Sequence, residues 1–237
     1  MPTKFSDLVL KETEDFIFIN KPYGVSSLDD RTSPLPSILA LAKTEFPDAI
    51  LSHRLDKETS GVMLIAKNEA AYRHSSILFE HREVNKVYHA FVNGTHRFEN
   101  KIVDVPLHTL NNGKVVTEPK EGKPSTTIFN TLKAFKFVTL VQCQPLTGRM
   151  HQIRVHLAYL NAPIVADDLY GGKPVFLSHI KRKFNLKKEE EERPLISRVA
   201  LHARSLTFAL PNGEQIMVEA PYPKDMSAFL QQLEKNS

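Results

Sequence analysis

The sequence predicts an α+β protein in which most neighbouring strands are antiparallel. Three observations favour this class. Segments with strand and helix patterns are interspersed along the 237 residues, and the strands are more numerous. Residues 62–66 form a short, continuous apolar run, which is typical of a buried strand. Residues 201–210 and 215–220 alternate in polarity around Pro211-Asn212-Gly213, a strong signal for an antiparallel hairpin.

The other elements follow from the same two periodicities. Residues 9–20 have the pattern of paired strands around a turn, and apolar side chains on both faces of 16–19 predict a central strand. Lys21-Pro22-Tyr23-Gly24 ends that strand. We expect helices at 35–46 (ended by Pro47), 69–81, 150–160 (ended at Asn161) and 226–233, and further strands at 86–92 and, as a pair, within 126–144.

Length and composition are compatible with one sizeable core. We expect a single domain over residues 1–237, in one lobe or two, and by default a monomer with no protein partner. The formal charge of +4 permits a polyanionic partner without requiring one. The single Cys143 excludes an internal disulfide framework and a multi-cysteine metal site. No segment resembles a signal peptide or a membrane helix, so we expect a cytoplasmic protein.

A charged segment at residues 181–193 interrupts the pattern. Lysines and an arginine at 181–183 and the pair Lys187-Lys188 precede four consecutive glutamates. Opposite-charge blocks of this kind usually form a solvated loop or an exposed helix, and we predict a charged surface insertion. The functional alternative is an accessory RNA contact through Lys181, Arg182 and Lys183.

The most informative segment is residues 53–61 (HRLDKETSG), directly before the predicted buried strand. In an extended chain Arg54 and Asp56 project to one side and Leu55 to the other, so a cation and a carboxylate share one surface. Thr59-Ser60-Gly61 supplies a tight turn with hydroxyls that can hold the local backbone. Taken alone, an exposed Arg–Asp pair is more often a modest surface salt bridge than a catalytic site.

A second segment, residues 146–156 (LTGRMHQIRVH), has a turn at Thr147-Gly148 that opens a helix rich in donors. The free N–H groups of a helix start attract anions, and Arg149, His151 and Arg154 suit a phosphate or a carboxylate. The alternative is a basic helix that faces solvent. His151 and His156 are five residues apart and so point away from each other on a helix, and we expect no catalytic metal.

A third segment, residues 86–94 (KVYHAFVNG), places Tyr88 on a strand. A lone tyrosine on a strand is normally a packing residue. Its functional interpretation is an aromatic platform, or a phenol, near a reacting base.

Together the three segments resemble the RluA-like family of RNA pseudouridine synthases. The supporting signals are Lys21-Pro22-x-Gly24, Asp168-x-Tyr170-Gly171 and Leu201-His202-Ala203. All occur in the family's order and cover the chain from about residue 15 to residue 221. The resemblance implies the pseudouridine synthase catalytic fold: a mixed, mostly antiparallel sheet in two lobes with flanking helices and a central cleft. It implies no metal and no organic cofactor.

The resemblance also assigns residues by motif. It implies that Asp56 is the catalytic aspartate, Tyr88 the active-site tyrosine and Arg154 the arginine that pairs with the aspartate, with Arg149 as the alternative. It implies that Arg54 helps fill the place of an extruded nucleotide. The other predicted substrate-binding residues are His53, Thr59, Arg149, His151 and Gln152.

Several features depart from the family pattern. Lys57-Glu58 and Met150 are flanking differences that we expect to leave chemistry unaffected. Ala166 stands where glycine is common, which predicts a shifted turn. Since the catalytic pattern begins almost at the start of the chain, we expect no small N-terminal RNA-binding domain of the S4 type.

The predicted activity is therefore isomerisation of particular uridines in structured ribosomal or transfer RNA, by base flipping, cleavage of the glycosidic bond and rejoining through carbon. A base-excising N-glycosylase or nucleoside hydrolase would also suit Asp56 and Tyr88. A catalytically silent RNA-binding module is the rival from another class. A small-molecule α+β enzyme has only the composition in its favour.

Overall fold

The computed structural model describes residues 4–30, 33, 35–181, 184–185 and 191–236. The strands in these ranges are β1 (Val9–Glu12), β2 (Phe16–Lys21), β3 (Ser60–Ala66), β4 (Asn85–Asn93), β5 (Lys101–Asp104), β6 (Leu107–Thr109), β7 (Val115–Thr117), β8 (Thr126–Ala134), β9 (Val138–Pro145), β10 (Leu201–Ala209) and β11 (Gln215–Glu219). The α-helices are α1 (Ile38–Lys43), α2 (Glu69–Glu80), α3 (Gln152–Tyr159), α4 (Leu177–Ile180) and α5 (Lys224–Lys235).

The chain folds as two compact units, the first from residues 1–88 and 202–221 and the second from 89–201 and 222–237. The first unit contains a mixed sheet. In it β2 pairs antiparallel with β1 and β3, β3 pairs parallel with β10, and β10 pairs antiparallel with β11. All seven residues of β3 are buried, which confirms the buried strand predicted from its apolar run.

The core of the first unit explains why β2 has no polar face. Phe16, Ile17, Phe18 and Ile19 are all fully buried, as expected for a strand with neighbours on both sides and packing on both faces. Helix α2 covers part of this core, and it begins where the Asn68 side chain accepts a hydrogen bond from the N–H of residue 71.

In the second unit β8 pairs antiparallel with β5 and with β9, and β6 and β7 form a separate two-stranded hairpin. The apolar face of α5 buries Met226, Phe229 and Leu233, at the spacing that predicted this helix. Phe229 packs edge-on against Phe91 of β4, with ring centroids 4.9 Å apart. The hairpin packs Leu107 and Val115 against α3.

The α+β class with mostly antiparallel pairing is confirmed. So are the hairpin around Gly213, the paired strands within 126–144 and the end of α3, where Asn161 adopts φ 56°. Helix α1 is shorter than the predicted 35–46, because the Ser37 side chain caps its start by accepting from the N–H of residue 40. The short elements β5, β6, β7 and α4 were not predicted. A single domain with a cleft between two lobes stays a prediction.

The predicted charged insertion lies largely outside the described residues. Arg182, Lys183 and residues 186–190 are among those not described. Lys181 is exposed, in agreement with a surface segment. Within the described ranges, none of the helices combines the length and the apolar character that crossing a membrane requires.

Candidate active site

The loop that carries Asp56 lies between α1 and β3 and is held in place from within the first unit. The Ser27 hydroxyl donates to the carbonyl of Leu55 at 2.7 Å and accepts from its N–H at 3.1 Å. Leu55 is buried, whereas Arg54 is exposed and Asp56 half-buried. This alternation agrees with the extended conformation predicted for the segment, and it leaves a rigidly anchored backbone with a carboxylate that solvent reaches.

The residues after Asp56 are fixed by a buried lysine. The Lys21 ammonium is fully buried and donates to the carbonyls of Val25 at 2.7 Å, Pro22 at 3.0 Å and Lys57 at 3.4 Å. The N–H of Gly24 also donates to the Lys57 carbonyl, at 2.8 Å. The Lys21 ammonium therefore joins the turn that follows β2 to Lys57, the residue next to Asp56, through hydrogen bonds to both segments.

A turn and a tight strand pairing complete the loop. The Thr59 N–H donates to the Asp56 carbonyl at 3.0 Å, and Thr59 itself is buried. Ser60 and Gly61 then pair with His202 and Ala203 of β10. The Ser60 hydroxyl lies 3.0 Å from His202 Nδ1, whose ring is fixed on its other side by the carbonyl of residue 220.

Gly61 is required by this pairing for two reasons. Its φ of +118° lies in the region that favours glycine. A Cβ at this position would also lie 2.2 Å from the backbone oxygen of Ala203. The glycine thus allows β3 and β10 to approach closely just after the Asp56 loop in the sequence.

The charge of Asp56 acts on Tyr88 within the first unit. Burial raises the pKa of the Tyr88 phenol well above its usual range, and the negative charge of Asp56 raises it further. The phenol is therefore protonated at neutral pH. Its ring packs against the core of the first unit, which fixes its position.

His53 has a structural role in this loop. Its ring stacks on Phe79 with centroids 4.6 Å apart, and its Nε2 accepts from the N–H of Leu64 at 2.9 Å. Burial, together with the positive charge of Lys86, lowers the pKa of His53 to about 3. The neutral ring joins the loop to β3 and α2, and direct substrate binding by His53 stays a prediction.

In the second unit, Gln152 organises the turn before α3. Its side-chain oxygen accepts from the Thr147 hydroxyl at 2.7 Å and from the Arg149 N–H at 3.0 Å. Its amide nitrogen donates to the Thr126 carbonyl and the Thr127 hydroxyl, both at 3.0 Å. Gln152 is buried, so these bonds fix the turn onto β8. The helix begins at Gln152 rather than at the predicted residue 150.

Arg154 is a buried cation with a matched carboxylate. Its Nε and one terminal nitrogen donate to the two oxygens of Asp167 at 2.8 and 2.7 Å, and both side chains are at most 4% exposed. The guanidinium also lies over the Tyr170 ring, 5.0 Å from its centroid. A bidentate pair with a stacked ring holds the arginine in one geometry.

Strained backbone surrounds this arginine. His151 adopts φ 53°, and its Nδ1 lies 2.8 Å from the Tyr170 hydroxyl, which accepts from the Val115 N–H at 3.1 Å. Ala166, which stands where glycine was expected, still adopts φ 59°. Arg149, by contrast, is exposed and donates through Nε to the Pro124 carbonyl at 3.2 Å. Its side chain therefore lies at the surface, and a phosphate contact by Arg149 stays a prediction.

Comparison with known proteins identifies the family. Residues 15–159 match the model of the RNA pseudouridylate synthase family. The ribosomal large subunit pseudouridine synthase C of Vibrio vulnificus (strain CMCP6) is 34% identical over 234 residues, covering 97% of this chain and 70% of that protein. The protein of the same name from Escherichia coli (strain K12) is 36% identical, covering 96% and 70%. The chain belongs to the RNA pseudouridylate synthase family.

Solved structures agree with this assignment. The human RNA pseudouridylate synthase domain containing 4 is similar with a TM-score of 0.72 and 25% identity, covering 97% of this chain and 94% of that one. The human RNA pseudouridylate synthase domain containing 1 gives a TM-score of 0.70 with 28% identity, covering 94% and 86%. The chain is thus an RNA pseudouridine synthase, an isomerase, as the sequence motifs predicted.

The motif residues of this pseudouridine synthase lie in both of its units. The first unit contains Asp56, Tyr88, Arg54, His53 and Thr59, and the second contains Arg149, His151, Gln152 and Arg154. In the described part of the chain, no group of three or more histidine, cysteine or acidic side chains could hold a metal ion.

Sequence reasoning missed the residues that hold this synthase's motifs in place. Lys21 and His202 belong to segments that the resemblance included, but their hydrogen-bond roles were not predicted. Ser27 and Asp167 act through contacts across 28 and 13 positions of sequence, which no local pattern reveals. Their common signal is a polar residue that is buried, a state that requires a partner.

The pH dependence of folding tests the role given to His53. The imidazole of His53 has its ordinary pKa of 6.5 in the unfolded chain, whereas in the folded chain its pKa is about 3. Between these values the unfolded state binds more protons, so His53 makes stability rise with pH, by at most about 1.4 kcal/mol per pH unit. We expect His53→Gln to flatten the acid limb of the free energy of unfolding, measured in urea from pH 7 to pH 4. The exposed-site control His108→Gln is expected to keep the wild-type slope, and an equal slope in both variants would contradict the role.

Proposed function

We propose that this pseudouridine synthase modifies uridines in large-subunit ribosomal RNA and that Asp56 is its catalytic residue. The relatives named above are ribosomal large subunit pseudouridine synthases, and each is about a third identical to this chain over nearly all of its length. The observation that carries the assignment of Asp56 is its position. Its carboxylate is accessible to solvent on an anchored loop, and its negative charge acts on Tyr88. Transfer RNA is the alternative substrate.

The reaction requires the uridine to leave its helix. Extrusion costs a few kcal/mol of stacking and pairing, and a side chain that occupies the vacated space offsets part of this. Arg54 is exposed beside Asp56 in sequence and makes no hydrogen bond or ion pair with any residue that the structure describes. We therefore propose that Arg54 fills the place of the extruded nucleotide.

The carboxylate then acts at the sugar. The carboxylate of Asp56 can attack C1′ as a nucleophile, stabilise its developing positive charge or remove a sugar proton while the N1–C1′ bond breaks. The uracil rotates, C5 bonds to C1′, and the proton of C5 is lost while N1 gains one, so that the mass of the RNA is unchanged. The raised pKa of Tyr88 keeps its phenol protonated, which favours stacking or hydrogen-bond donation over action as a free base.

The proposed role of Arg154 rests on the resemblance, which assigns it as the partner of Asp56. Its bidentate bond to Asp167 supports a fixed, charged guanidinium in the second unit. Because loss of either side chain leaves a buried charge uncompensated, Arg154→Ala lowers stability as well as activity. Arg149→Ala is the cleaner test of the alternative arginine.

Product analysis of purified protein tests the proposed function. We expect the chain, incubated with an unmodified transcript of large-subunit ribosomal RNA, to convert specific uridines to pseudouridine without cofactor and without release of uracil. Free uracil would show a glycosylase. RNA binding without either product would favour a silent binding module, and conversion in transfer RNA alone would move the substrate to that class. A cytoplasmic monomer remains our prediction.

A further inference from the structure

We propose that Lys86, together with Arg82, forms a phosphate-binding site for the RNA strand beside the target uridine. The inference rests on the proposed function, since it assumes that the reacting sugar lies at Asp56. It concerns the lysine of the motif at residues 86–90, which the catalytic assignments leave unused. Each step of the argument lies within the first unit.

The position of Lys86 relative to Tyr88 comes first. Both residues belong to β4, two positions apart, so their side chains project to the same face of the strand. Two residues of a strand span roughly 7 Å. The phosphates of a nucleotide lie within about that distance of its own sugar, and the charge of Asp56 acts on Tyr88. A nucleotide with its sugar at Asp56 therefore brings a backbone phosphate within reach of Lys86.

The charge of Lys86 is unbalanced. Its side chain is partly buried and makes no hydrogen bond or ion pair with any described residue. Burial lowers its pKa, and the positive charge of Arg82 lowers it further. Among the residues that the structure describes, no carboxylate acts on it. A desolvated cation beside a second cation is unfavourable in the free protein and is relieved by a bound anion.

The neighbouring groups do not provide that anion. The positive charge of Lys86 helps to lower the pKa of His53, whose ring is therefore neutral at physiological pH. That ring accepts a hydrogen bond from the Leu64 N–H and stacks on Phe79. Arg82 lies in the turn between α2 and β4, and its side chain is exposed. Lys86 thus lies near a second cation and a neutral ring, an environment that suits an anionic phosphodiester.

Binding measurements on variants test the site. The probe is the shortest fragment of a large-subunit ribosomal RNA transcript in which the wild-type chain makes pseudouridine. We expect Lys86→Gln to weaken RNA binding about tenfold at low salt and to reduce the slope of log K against log salt concentration by about one, because one phosphate contact is lost. The control is Lys43→Gln, which removes an exposed lysine of α1 and is expected to bind as the wild type does.

Neutral phosphates locate the contact. A series of RNA fragments is prepared, each with one uncharged methylphosphonate at a different linkage near the target uridine. We expect the wild type to bind one fragment of the series more weakly than the others, the one whose neutral linkage lies at Lys86. Lys86→Gln is expected to be insensitive to that same linkage. Wild-type affinity and salt slope in Lys86→Gln, or an equal loss at every linkage in both proteins, would overturn the site.

Stability separates binding from folding. Removing an unpaired, partly desolvated cation is expected to leave the Tm of the RNA-free protein unchanged or to raise it. A lower Tm with an unchanged salt slope would mean that Lys86 has a structural role and would contradict the proposal. Failure of the proposed function is a different result: the wild-type chain then makes no pseudouridine in any fragment of ribosomal RNA.

Discussion

Asp56→Asn is expected to reduce pseudouridine formation by at least about a thousandfold under single-turnover conditions. The amide keeps the size of the side chain and loses the negative charge that acts at C1′. Because the loop is held by backbone bonds at Leu55, Lys57 and Thr59, the variant is expected to fold normally and to bind RNA within about threefold of the wild type.

The matched control is Asp48→Asn, which removes an exposed carboxylate elsewhere in the same unit. It is expected to retain wild-type rates. If Asp56→Asn keeps the wild-type rate of product formation and loses only affinity for RNA, the carboxylate is a binding group and the catalytic assignment is wrong. Substitution by glutamate tests position separately from charge, and it too is expected to be strongly impaired.

Gly61→Ala is expected to lower the free energy of unfolding by about 4 kcal/mol or more. Two costs combine: a positive φ that alanine resists, and a methyl group placed 2.2 Å from the Ala203 oxygen in a fully buried strand. Relief requires β3 and β10 to separate, which would also shift the Asp56 loop. Urea denaturation monitored by far-ultraviolet circular dichroism measures the loss.

Gly213→Ala provides the comparison for that variant. Gly213 also has a positive φ, of 84°, but a Cβ there meets no atom within 4 Å. Its replacement is expected to cost only about 1 kcal/mol, from backbone strain alone. Equal destabilisation of the two variants would show that the close approach of β3 and β10 has no energetic consequence.

Local patterns in the sequence predicted most of the long elements. The continuous apolar run of β3, the two apolar faces of β2 and the helical spacing of Met226, Phe229 and Leu233 each reflect burial that is a property of the element itself. The Pro-Asn-Gly turn between β10 and β11 is likewise specified by its own residues. Such elements can be predicted because the pattern of polar and apolar residues that specifies them lies within a short segment of the sequence.

The elements that were missed depend on distant partners. β6 and β7 have three residues each and are held to α3 by Leu107 and Val115, which leaves too short a pattern to recognise. The start of α3 was placed two residues early, because the hydrogen bonds of Gln152 and the left-handed conformation of His151 decide where the helix begins. Neither feature has a periodic signature.

The candidate site shows the same division. Its motif residues were found from the sequence, because the spacing of residues 53–61 and 147–156 is distinctive once the family is considered. The contacts that hold them were not found: the Lys21 ammonium bonds three carbonyls, and Arg154 pairs with Asp167. Both involve buried charges, whose partners depend on the completed fold.

The most direct measurement is a pseudouridine map of ribosomal RNA from cells that lack this gene, complemented with either the wild-type chain or Asp56→Asn. We predict that specific large-subunit uridines regain the modification with the wild type and stay unmodified with the variant. Equal restoration by both chains would contradict a catalytic Asp56, and a map unchanged by loss of the gene would contradict ribosomal RNA as the substrate.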